Sequence, residues 1–61
     1  MTAREIAKKF EEHGWVLDRI KGSHYVYAKE GRRSIPIPFH GGNRDLGNLG
    51  KRILREAGIT D

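Results

Sequence analysis

The chain opens on a pattern with the period of a helix. Ala3, Ile6, Ala7 and Phe10 recur at i, i+3, i+4 and i+7 and form one apolar stripe among charged neighbours. Thr2 precedes the stripe and Glu5 follows three residues on, the reciprocal capping box that starts helices. Gly14 supplies the left-handed residue that commonly ends them. The pattern then changes to short apolar runs. Trp15–Ile20, His24–Lys29 and Arg32–Pro38 are rich in β-branched and aromatic residues, and the turn signals Lys21-Gly22-Ser23 and Glu30-Gly31 separate them. Pro36 and Pro38 have no N–H to give to a ladder, so the third run is predicted at a sheet edge. After a loop at Phe39–Asn43 the helical period returns. Leu46, Leu49, Ile53 and Ala57, widened by Leu54, predict a second helix that begins between Leu46 and Asn48 and ends at Ala57, before Gly58. Asp45 and Asn48 are rival N-caps. Gly47 and Gly50 each weaken a helix by about 1 kcal/mol, which implies close packing or a frayed first turn.

The expected fold is therefore α+β: an α-β-β-β-α order, a three-stranded antiparallel meander and both helices on one face, with the other face in water. Residues 1–61 read as a single domain. A chain of 61 residues buries only about 60% of the surface that its unfolded form exposes. It has little room for an internal cavity holding a large cofactor, so its work is expected on its surface or with a partner. Cysteine is absent, which removes disulfide frameworks and thiolate metal sites. No apolar run approaches the roughly 20 residues that cross a bilayer, and a soluble, cytoplasmic protein without a membrane role is expected. Twelve Lys and Arg against eight Asp and Glu leave a net charge of +4. That balance favours an anionic partner, nucleic acid foremost.

Histidine is the best catalyst on offer, because imidazole trades a proton near neutral pH. His13 falls in the last turn of the first helix and reads as a helix-terminus residue. His24 follows Gly22-Ser23 at the mouth of a hairpin, with Lys21 before it and Tyr25 after it. It is either a catalytic imidazole in a positive field or an ordinary turn histidine that caps a backbone group. His40 lies beside Gly41-Gly42. It is a second acid or base, an anion ligand in a glycine-rich nest, or a residue of a flexible loop. In a meander the turn joining strands one and two lies at the same end of the sheet as the exit of strand three, so topology alone brings His24 and His40 to one end. Arg19, Lys21 and Arg44, with Lys51 and Arg52 at the start of the second helix, are expected at or near that end as a basic rim for a phosphodiester backbone. Arg32 and Arg33 flank the opposite turn. Tyr25 and Tyr27 are either core residues or platforms for bases. The acids Glu11-Glu12, Asp18, Glu30 and Asp45 are scattered and form no metal cluster. No metal and no small-molecule cofactor is expected.

Together, Gly14-Trp15-Val16-Leu17, Lys21-Gly22-Ser23-His24, Pro36-Ile37-Pro38-Phe39-His40-Gly41 and the stretch from Leu49 through Ile53-Leu54-Arg55-Glu56-Ala57-Gly58-Ile59 resemble the HicA toxins of bacterial and archaeal toxin–antitoxin pairs. The resemblance spans nearly the whole chain. It implies a fold similar to double-stranded RNA-binding domains, cleavage of mRNA that stops translation, and a HicB-type antitoxin that neutralises the toxin. It places the family's catalytic histidine on His24 and its later histidine on His40, in a supporting role. The chain departs from the family at Gly47-Asn48-Leu49, where Gly-Thr-Leu is frequent, and at Gly50, where a basic or polar residue is usual. The resulting expectation is a metal-independent endoribonuclease with His24 catalytic and Arg19, Lys21, Ser23, His40, Arg44 and Lys51 supporting it or binding RNA. The rivals are a non-catalytic RNA-binding module of the double-stranded RNA-binding-domain type and a degenerate family member kept only to bind its antitoxin.

Overall fold

The computed structural model describes residues 1–41 and 43–60. Its elements are α1 (Ala3–Glu12), β1 (Val16–Lys21), β2 (His24–Ala28), β3 (Ile35–Pro38) and α2 (Asn48–Glu56). The strands lie in the order β1-β2-β3, and both pairings are antiparallel. This is the α-β-β-β-α, α+β architecture expected, with an open sheet and the proline-bearing β3 at one edge.

The predicted capping box starts α1. The Thr2 hydroxyl accepts the Glu5 N–H at 3.2 Å, and the Glu5 carboxylate accepts the Thr2 N–H at 2.8 Å. The whole apolar stripe of α1 is buried. His13 is the C-cap; its Nδ1 lies 2.8 Å from the Lys9 carbonyl. The Lys29 ammonium donates to the His13 carbonyl at 2.7 Å, a cation at the negative end of the helix dipole.

Alternation along the strands sets the inner face. Tyr27, Ile35 and Ile37 point at the helices and join Ile6, Phe10, Trp15 and Ile53 in the core, with the half-buried Tyr25 packed against it. Phe10 sits at its centre, with ring centroids 5.0 Å from Trp15 and 5.7 Å from Tyr27. Of the two readings for the tyrosines, the core one holds. Tyr25 stacks on Phe39 at 4.0 Å, and the buried Tyr27 donates its hydroxyl to Glu11 at 3.1 Å. Burial, reinforced by that carboxylate, raises the Tyr27 phenol from 10.0 to about 12. Between these values the unfolded chain releases a proton that the folded one keeps. Stability present below the unfolded value is therefore lost as pH rises towards the folded one. Tyr27→Phe is expected to flatten this alkaline decline, measured as urea midpoints across the interval. An unchanged slope would contradict the assignment.

Several local expectations need correction. Trp15 is not part of the first strand. Its backbone N–H donates to the Phe10 carbonyl at 3.0 Å, and its ring is a core wedge. β1 is exposed along its length and bulged, with Asp18 left over between the pairs Leu17–Tyr27 and Arg19–Val26. The Glu30-Gly31 turn lies within a longer connection, because β2 ends at Ala28 and β3 begins only at Ile35. There Arg32 is a structural clamp: its guanidinium lies 5.8 Å from the Trp15 ring centroid and donates to the Glu56 carbonyl at 3.3 Å.

The second helix departs furthest. Neither Asp45 nor Asn48 caps it; the N-cap is Gly47. The Asp45 carboxylate instead accepts the Gly47 N–H at 2.8 Å and meets the Met1 ammonium at 2.9 Å. These contacts, in that order, hold its pKa below the usual value. The buried face of α2 is Gly50, Ile53 and Leu54, continued by Ala57, whereas Leu49 is 45% exposed. The helix is turned so that its glycine meets α1. A Cβ on Gly50 would stand 2.8 Å from Cδ1 of Ile6, whose side chain is wholly enclosed. Close packing is thus the reason for Gly50. Gly50→Ala gains about 1 kcal/mol of helix propensity but forces an overpacking that typically costs about 1–3 kcal/mol. A lower melting temperature is expected; a raised one would show that Ile6 yields freely.

Candidate functional site

The site begins at the turn between β1 and β2. Gly22 holds φ at 59°, a conformation costly for residues with a Cβ, and this tight reversal sets Lys21 directly across the ladder from His24. Since Tyr25 and Tyr27 face inward, His24 and Val26 face the open side. Across the ladders, Arg19 stands opposite Val26, Pro36 opposite Val26 from the other strand, and Pro38 opposite His24. The Phe39 N–H donates to the Ser23 carbonyl at 2.7 Å. That bond carries the β2–β3 pairing one residue past Pro38 and keeps His40 in phase with Pro36 and Pro38. The His24 and His40 ring centroids lie 6.1 Å apart, at an interplanar angle of 83°. Both residues are exposed, and among the described residues neither imidazole has a hydrogen-bond partner.

Arg19, Lys21, Ser23, His24 and His40 rim an open depression of about 600 Å³, floored by Val26 and Pro36. Among the described residues no carboxylate lines it. Arg19 is held at 2.6 Å by the Asp18 carboxylate just outside, with both side chains about half exposed. An exposed pair of this kind is worth little, so Arg19 can exchange it for a phosphate. On its other side His24 borders a smaller groove of about 270 Å³ between β3 and α2, where Leu49 and Arg52 stand beside Pro36 and Pro38.

The structure thus assembles five of the seven expected site residues. The other two lie elsewhere. Arg44 is exposed in the loop before α2 and does not line the depression. Lys51 borders a separate groove with Leu54 and Ile59. Consecutive helical residues do not face the same way, so Arg52, not Lys51, is the α2 cation beside His24. The sequence reading placed Arg52 only loosely and missed the neighbouring Leu49. The signal was available in the phase of the helix: a stripe drawn through Gly50 turns Leu49 and Arg52 outward. The nest expected at Gly41-Gly42 includes Gly42, which lies outside the described residues. Among the described residues no three His, Asp or Glu side chains gather to hold a metal ion, and no helix is long and apolar enough to cross a membrane.

These features define an α+β domain that presents two free imidazoles and two cations on the open face of a three-stranded sheet. Residues 3–59 match the family model described as the HicA toxin of bacterial toxin–antitoxin systems, which takes in all five elements. The chain belongs to the HicA toxin family, a membership that implies an antitoxin partner. A search of curated proteins found no match.

Proposed function

We propose that this toxin is a metal-independent endoribonuclease of the cytoplasm that cleaves mRNA, inhibits translation, and is neutralised by a HicB-type antitoxin. The observation that carries the reading is the exposed, unengaged His24 imidazole, set among Arg19, Lys21 and His40 in one open depression. In this reading His24 either takes the proton of the ribose 2′-hydroxyl as that oxygen attacks the adjacent phosphorus, or protonates the departing 5′ oxygen. Lys21 and Arg19 steady the negative charge that develops on the phosphate. Ser23 offers its hydroxyl at the rim, while Arg44 and Lys51, away from the depression, contact phosphates further along the strand. DNA lacks the attacking hydroxyl, which accounts for a preference for RNA. An antitoxin suited to this face is acidic and covers His24.

The test is incubation of the purified toxin with end-labelled RNA in the presence of EDTA. Shorter fragments ending in a 2′,3′-cyclic phosphate are expected. Intact RNA in a shifted band would reduce the protein to an RNA-binding module.

A further inference from the structure

Opening an RNA phosphodiester by its own 2′-hydroxyl requires two proton transfers at opposite ends of the reacting phosphorus. One proton leaves the entering O2′ and another arrives at the departing O5′. A single imidazole cannot stand at both ends, so the reading of His24 given above leaves one transfer without a residue. We propose that His40 supplies it, and that His24 and His40 act as an acid–base pair across one phosphate. This inference rests on the endoribonuclease reading and deepens it.

Elimination within the depression points to His40. Its other polar side chains are Arg19, Lys21, Ser23 and Ser34, and imidazole is the only side chain whose ordinary titration range lies at neutrality. Geometry agrees. Two hydrogen bonds of about 3 Å, one to the entering and one to the leaving oxygen, have to reach a single phosphate from two sides. The 6.1 Å between the ring centroids puts both imidazoles within reach of one phosphate. The rings meet edge to face instead of stacking, and among the described residues neither is tied to another polar group, so both are free to engage a ligand. Their spacing is built into the sheet. His24 is paired with Pro38, and the Phe39–Ser23 hydrogen bond holds the backbone just before His40 against the turn just before His24.

The step balances without a further reactant. As O2′ bonds to phosphorus, its proton passes to the neutral imidazole of the pair. As the P–O5′ bond breaks, O5′ takes a proton from the protonated imidazole. The products are a 2′,3′-cyclic phosphate and a 5′-hydroxyl. The two rings end with their protonation states exchanged, and solvent restores them.

The experiment compares wild type, His24→Ala and His40→Ala in single-turnover cleavage of two RNA oligonucleotides that share the site mapped for wild type. One carries the ordinary 5′ bridging oxygen; the other carries sulfur there, a leaving group that departs without being protonated. On ordinary RNA both variants are expected to be slower by a factor of about 10²–10⁴, with unchanged circular dichroism. On the sulfur substrate one variant, and only one, is expected to recover most of its loss; that variant lacks the acid. His40→Ala cutting ordinary RNA at the wild-type rate would overturn the pair while leaving the ribonuclease reading intact. The pair is equally overturned if both variants recover, if neither does, or if His24→Ala is the one that recovers while His40→Ala keeps the limb of the wild-type pH–rate profile that reports the general base. A wild-type toxin that yields no cleavage site to map overturns the ribonuclease reading itself, and this inference with it.

Discussion

Replacing His24 with alanine is expected to abolish growth arrest on expression and to slow RNA cleavage by about 10²–10⁴-fold, the usual contribution of a positioned acid or base. The loss should fall on chemistry and not on the fold. His24 is exposed, its imidazole forms no hydrogen bond with another described residue and it adds nothing to the core. Surface substitutions away from special features usually stay within about 0.5 kcal/mol of wild type, so thermal melts of the two proteins should nearly coincide. RNA affinity should change little, since Arg19 and Lys21 remain on the open face. The decisive measurement is a single-turnover cleavage rate alongside a melting curve. If the alanine variant cuts RNA as fast as wild type, the site lies elsewhere.

Phe10→Ala should fail for the opposite reason. The Phe10 ring is fully enclosed, between Trp15 and Tyr27, where α1 meets the sheet. Truncating a core phenylalanine typically costs about 3–5 kcal/mol, through lost transfer energy and the cavity left behind. A 61-residue chain, at about 0.05–0.15 kcal/mol per residue, has only about 3–9 kcal/mol of stability in total. The variant is expected to be largely unfolded or close to it at 37 °C, with its urea midpoint sharply reduced. A midpoint near that of wild type would show that the core does not converge on Phe10. Both substitutions silence the toxin, but only Phe10→Ala does so by removing the folded state, a distinction that circular dichroism draws directly.

The elements most legible in the amino-acid order were those whose cause is local. The Thr2–Glu5 box and the 3-6-7-10 stripe are interactions within one helix, and both stand as read. The edge position of β3 follows from two missing N–H groups at Pro36 and Pro38 and needs no tertiary information. The meeting of His24 and His40 was legible too, because strand alternation in a meander is a topological constraint. What escaped was the rotation of α2. Apolar spacing alone selected Leu49, which is exposed, whereas the helix turns Gly50 inward, where Ile6 of α1 leaves no room for a Cβ. That one contact between elements distant in sequence moved Lys51 away from His24 and brought Arg52 and Leu49 beside it. Arg32 escaped for the same reason. The sequence places it only beside a turn, and the approach of Trp15 and the end of α2 makes it a clamp.

From its amino acids alone, then, this protein was committed to a helix–meander–helix order, to a face rich in cations, and to two imidazoles at one end of the sheet. Periodicity, proline chemistry and chain direction act over a few residues and need no partner to be read. The distance between those imidazoles and the cations that join them were set by the register of the strands, and the face that α2 turns inward was decided only when the helices packed together. Steric exclusion between residues more than forty positions apart, as where the Ile6 side chain meets the backbone of Gly50, leaves no local pattern to read.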